Sequence, residues 1–118
     1  MRACAGAVAA CREALLNEGS VGLIAADDAV PGLARRLEAE GVDHISGIGE
    51  ARLVLLPATQ VKGLEFDHVV VVEPARIAGS EPYDLHRLRQ LYVALTRAVS
   101  GLCVLHAEPL PAPLATVP

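Results

Sequence analysis

A chain of 118 residues that is 53% apolar has the length and composition for one domain with a real core, which argues against a disordered tail. Its net charge of −4 argues against a freestanding nucleic-acid binder, because such proteins carry a basic face that displaces counterions from phosphates. Contact with nucleic acid through a few residues stays open.

Aromatic residues are scarce, only Phe66, Tyr83 and Tyr92, so the core must be built from Val, Leu, Ile and Ala. Cys4, Val8, Cys11 and Leu15 recur at helical spacing and 17–20 supplies a stop, which predicts a helix over about 3–17. Cys4 and Cys11 read there as small buried hydrophobes. With Cys103 they make an odd number in no metal-ligand pattern, which fits a reduced, cytoplasmic setting. Arg12 and Glu13 interrupt the Ala-rich start before it could serve as a signal segment or a membrane span.

Residues 21–26 form a short apolar run ending at Asp27 and Asp28, either of which can cap a second helix whose first turn tolerates Pro31. Val30, Leu33, Ala34 and Leu37 line one face of that helix, and Gly41 ends it. Residues 52–56 and 69–72 read as strands. Both are unbroken apolar runs, as expected where helices cover both faces of a parallel sheet. The short link between them is a difficulty, since adjacent parallel strands need a crossover of about a dozen residues; residues 59–67 could supply a turn of helix.

Leu85, Leu88, Tyr92, Leu95 and Val99 fall on one stripe of a helix over 84–99, and 102–105 is the last strand. The alternation predicts an α/β domain, a three-layer, mostly parallel sheet with helices on both faces. It should occupy residues 1–108. Residues 109–118, with four prolines, should be an extended tail.

Two segments stand out chemically. The first is Val61-Lys62-Gly63-Leu64-Glu65-Phe66-Asp67, a turn glycine joined to carboxylates at the carboxyl end of a strand, where ligand loops gather in such sheets. The second, Leu91-Tyr92-Val93-Ala94-Leu95-Thr96-Arg97-Ala98, ends a helix pattern with an arginine. At about 100° per residue, Arg97 lies roughly 160° from the apolar stripe and cannot pack into the domain's own core. From spacing alone Arg97 reads first as a solvated arginine that suits a helix dipole, and the glycine turn as an ordinary turn. No G-x-x-x-x-G-K-[ST] phosphate cradle occurs in the sequence. The four histidines, His44, His68, His86 and His106, are scattered and not at ligand spacing.

Lys62-Gly63-Leu64-Glu65-Phe66-Asp67 with the valines after it resembles motif V of superfamily 1 helicases of the UvrD/Rep group, and Tyr92-Val93-Ala94-Leu95-Thr96-Arg97-Ala98 resembles their motif VI. The similarity runs over about 53–105. It implies the second RecA-like domain (of the P-loop NTPase-like class) of an ATP-dependent DNA helicase-like motor, which closes over ATP and Mg held mainly by a first RecA-like domain. Arg97 would then be the catalytic group reaching the γ-phosphate in cis, with Gly63 and Glu65 beside the nucleotide. Lys62 would help link nucleotide state to the single strand, and Thr59 and Gln60 would face nucleic acid. No ATP would be held tightly by this chain alone.

Two positions depart from that pattern: Pro57 and Thr59 stand where UvrD and Rep have Thr-x-His, and 86–90 lacks their acidic pair. Pro57, the Phe66-Asp67 ending and Glu108-Pro109-Leu110-Pro111 are more similar to the HelD branch. That branch implies bacterial RNA polymerase as a partner alongside single-stranded DNA. A docking module that keeps the fold without the motor is the other reading.

Overall fold

The computed structural model describes residues 3–46, 52–79 and 82–111. In chain order they form α1 (Ala3–Leu15), β1 (Val21–Ala25), a 3₁₀ turn (Asp27–Ala29), α2 (Val30–Ala39), β2 (Ile45–Ser46) and β3 (Leu53–Pro57). A second 3₁₀ turn (Ala58–Gln60) precedes β4 (Phe66–Val72), α3 (Pro74–Ala78), α4 (Leu85–Leu95) and β5 (Ala98–Leu105). The strands make one sheet in the order β2-β3-β1-β4-β5, and every neighbouring pair is parallel.

Each face of the sheet has its own core. Val21, Leu23, Leu53, Leu55, Val70 and Val72 meet Ala7, Val8 and Cys11 of α1 and Leu33 and Leu37 of α2. On the other face Ile24, Val54, Leu56, Val69 and Val71 meet Ile77 and Ala78 of α3, Leu91 and Ala94 of α4, and Val61. This is why β1, β3 and residues 69–72 of β4 carry no polar side chain: successive side chains enter opposite cores. Phe66, the one phenylalanine, lies over β1, where Gly22 makes room; a Cβ at Gly22 would stand 2.6 Å from the ring. Burial pushes the Cys11 thiol up to about 12, with Cys103 adding to the effect. Cys11 is thus the buried small side chain expected of it, whereas the side chain of Cys4 lies outside the described residues, as do residues 112–118 of the expected tail.

The short link between the two middle strands is resolved by topology. β3 and β4 are not neighbours, because β1 lies between them. Residues 58–65 make the crossing over β1 as a 3₁₀ turn (Ala58–Gln60), the buried Val61 and a turn at Lys62-Gly63, so the turn of helix expected between the strands is present at the start of the link.

Three expectations are corrected. Neither Asp27 nor Asp28 caps α2: the helix begins after Ala29 with no side-chain cap, and the 3₁₀ turn carries both carboxylates out to other partners. The last helix ends at Leu95 instead of Val99, because the Thr96 hydroxyl turns back onto Tyr92 O and Val93 O and the Arg97 carbonyl accepts from Phe66 N at 2.9 Å, which starts β5. Its buried stripe is also rotated from the expected one. Leu91 is 3% exposed and Ala94 is buried, while Tyr92 is 67% and Leu85 61% exposed. Asp84 does cap α4, accepting from His86 N at 2.8 Å.

Candidate nucleotide and nucleic-acid rims

Since all strands run the same way, the sheet has an amino rim and a carboxyl rim, and the connection 58–65 joins them. It leaves the carboxyl end of β3 with Ala58-Thr59-Gln60 and arrives at the amino end of β4 with Gly63-Leu64-Glu65. Midway, Val61 is fully buried in the second core and pins the crossing. The expectation of a ligand loop at the carboxyl end of β3 therefore covers only half of the segment. Thr59 and Gln60 sit there; Gly63 and Glu65 sit on the opposite rim.

At the amino rim Arg97 occupies the hinge between α4 and β5, not the outer face of a helix. Its Nε donates to Val93 O at 3.0 Å, one terminal nitrogen to Leu64 O at 3.3 Å, and the other to Thr96 Oγ1 at 3.3 Å. The guanidinium and the glycine-carboxylate turn, 33 residues apart in sequence, are thus in direct contact. Gly63 has φ +83°, a backbone that L side chains rarely adopt, and nothing stands within 4 Å of where its Cβ would be. A bound group could approach the backbone there. Glu65 and Lys62 are exposed and make no hydrogen bond or ion pair among the described residues. Asp67, by contrast, is committed. Its carboxylate accepts from Ser20 N at 2.8 Å and Ser20 Oγ at 3.3 Å, while its own N–H donates to Ser20 Oγ at 3.2 Å. The Ser20 N–H, outweighing desolvation, holds this carboxyl below the ordinary carboxylate range.

A guanidinium carries five N–H donors in a planar fork. Arg97 spends three on its own backbone and on Thr96, which fixes the plane. One N–H on each terminal nitrogen stays uncommitted among the described residues. That pair, with the carboxylate of Glu65 and the open backbone at Gly63, can meet phosphate oxygens on one side and hydroxyl donors on the other.

The carboxyl rim has a different character. Thr59 Oγ1 donates to the Asp27 carboxylate, 3.0 Å from either oxygen, and Arg76 pairs with Asp28 at 2.9 Å. With Ala26, Ala58, His86, Arg87 and Gln90 they line a cleft of about 370 Å³. Arg87 donates to Ile77 O and Arg76 O, in the C-terminal half of α3, so it clamps α3 to α4. Gln90 pairs with His86 at 3.1 Å; Gln60 is exposed with no partner among the described residues. Sequence reasoning missed Asp27 as the anchor of Thr59, and it missed α3. Pro74 at the first helical position and Gly79 just past the end were the readable signals for α3.

Both rims lie within, or beside, the part of the chain that has recognisable relatives. Residues 53–105 match the UvrD-like helicase C-terminal domain. The UvrD-like segment takes in β3, the crossing, β4, α3, α4 and β5, hence Thr59, Gln60, Lys62, Gly63, Glu65 and Arg97. The fold as a whole is similar to the crystal structure of the C-terminal domain of a possible DNA helicase from Lactobacillus plantarum WCFS1. The two superpose with a TM-score of 0.78 at 25% identity, over 98% of this chain and 73% of that one. No curated protein matches the chain. The α/β class with a parallel sheet is therefore confirmed, with a helicase C-terminal RecA-like domain as its structural counterpart. Among the described residues no helix is long and apolar enough to cross a membrane.

Proposed function

We propose that this domain is the second lobe of an ATP-driven, helicase-like motor, presenting Arg97 to a nucleotide held by a companion first lobe. The observation that carries this reading is the contact between the Arg97 guanidinium and the Leu64 carbonyl, which brings the arginine to the glycine-carboxylate turn with two N–H groups uncommitted. ATP and Mg supply the transferable phosphoryl group and its countercharge when bound. The chain's own residues orient and stabilise: Arg97 offsets charge on the phosphoryl oxygens, Glu65 accepts from ribose hydroxyls, and Gly63 lets backbone approach. Lys62 lies on the crossing toward the opposite rim, where Thr59 and Gln60 face the track.

The test is turnover of the polypeptide that joins this domain to the nucleotide-holding lobe. Arginines in this role contribute about 10³ to 10⁵ in rate, so Arg97→Ala should lower ATP hydrolysis by that order. Turnover within threefold of wild type sinks the reading.

A docking role for RNA polymerase, as in the HelD branch, draws support from the carboxyl rim. Thr59 is bound to Asp27, Arg76 is paired with Asp28, and Arg87 is bound to the α3 backbone, so the charged groups of that cleft are held among themselves and offer an ordered mixed-charge surface. Measuring hydrolysis with single-stranded DNA and, separately, with core RNA polymerase distinguishes the two tracks. Stimulation by DNA alone speaks for a nucleic-acid motor, and stimulation by polymerase alone for the HelD-like branch. A cytoplasmic setting fits either.

A further inference from the structure

We infer that Thr96 is a positioning residue for Arg97: its hydroxyl transmits the geometry of the end of α4 to the guanidinium. This rests on the nucleotide reading of Arg97 given above. Thr96 Oγ1 lies 3.0 Å from Tyr92 O and 3.0 Å from Val93 O, two carbonyls of the last turn of α4 that also accept from the Thr96 backbone N–H. Its single proton is therefore directed back at the helix, and its lone pairs point the other way, where one terminal nitrogen of Arg97 donates to it at 3.3 Å. Val93 O also accepts from Arg97 Nε at 3.0 Å, so two edges of the guanidinium are referred to the same turn.

The consequence is a fixed plane. An arginine with free rotamers carries about 2 kcal/mol of side-chain entropy, which a transition-state contact would have to overcome at each turnover. Here the hydroxyl and two carbonyls hold the fork before any ligand arrives. Only a residue with both a donor and an acceptor on its β-carbon can serve at position 96. Valine has the same shape and offers neither.

The positioning itself is testable on the 118-residue chain, apart from any motor activity. The ¹⁵N relaxation of the Arg97 Nε–H group should show an ordered side chain in the wild type and in Thr96→Ser, and a mobile one in Thr96→Val. In the polypeptide that includes the first lobe, Thr96→Val should lower kcat by about tenfold, the effect of one charge-assisted hydrogen bond, with KM for ATP unchanged. Thr96→Ser should restore kcat to within about twofold of wild type. A merely structural role would move the melting temperature and leave the Arg97 relaxation and the kcat of the folded variant unchanged, and that result overturns the inference. If Arg97→Ala abolishes turnover while Thr96→Val does not lower it, the positioning role fails and the nucleotide reading stands. If neither substitution lowers turnover, the nucleotide reading fails and takes the catalytic part of this inference with it.

Discussion

The rotation of α4 about its axis decides which side chains its last turn presents, and one pair of substitutions measures it. Leu91 is 3% exposed and packs in the second core with Ile24, Val71 and Val61, whereas the adjacent Tyr92 is 67% exposed. Leu91→Ala removes a buried isobutyl group and leaves a cavity between helix and sheet, which costs about 2–5 kcal/mol. Tyr92→Ala removes a larger side chain but from water, and should stay within about 0.5 kcal/mol. Unfolding entropy of about 2.1 cal/mol/K per residue makes 1 kcal/mol worth about 4 °C for a 118-residue domain. Leu91→Ala should therefore lower Tm by about 8–20 °C, and Tyr92→Ala by no more than about 2 °C. Thermal melts followed by circular dichroism give both values. If the tyrosine substitution proves the costlier, the helix is turned the other way and the account of Thr96 and Arg97 at its end fails with it.

Two further substitutions probe the frame beneath the rims. Gly22→Ala sets a methyl 2.6 Å from the Phe66 ring, and since β1 is the central strand the ring must shift; a loss of about 1–3 kcal/mol in urea unfolding is expected, against no such loss at half-buried Gly32, where nothing stands within 4 Å of the added methyl. Asp67 supplies a pH dependence. Its carboxyl is held below the usual range in the folded state, so it contributes stability at every pH above its ordinary value near 3.8, and this is lost as pH falls through the lower, folded value. Acid unfolding below about pH 4 should accordingly be shallower in Asp67→Asn than in wild type, and parallel curves would show that the Ser20 contacts do not stabilise the anion.

The strands β1 and β3 and the 69–72 part of β4 were legible because a side chain buried on either face of a sheet leaves no polar position to interrupt the run, whereas Asp67 and His68 hid the start of β4. The phase of α4 was not legible. Residues 91–95 are all apolar, so the period picks no face there, and only contact with Val61 and Phe66 selects Leu91 and Ala94. The early end of that helix depends on a bond between Arg97 O and Phe66 N, partners that no local pattern connects. The association of Arg97 with the glycine turn was expected from the family resemblance alone. The separation of Thr59 from Glu65 onto opposite rims could not be read, because it follows from β1 lying between β3 and β4, and strand order is a property of the whole sheet. The two-residue β2 and the five-residue α3 are too short to show a period of their own.

The path of residues 58–65 sets a mechanical constraint on the domain. A single connection, coiled at Ala58–Gln60 and turned at Gly63, spans the sheet from rim to rim, fastened in the middle by a valine sunk in the core. Because Val61 fixes its middle, sliding the connection by one residue would carry Thr59 away from Asp27 and Leu64 away from Arg97 together. Its length is therefore a gauge that keeps the two ends in step, and an insertion there would uncouple them while leaving every strand in place.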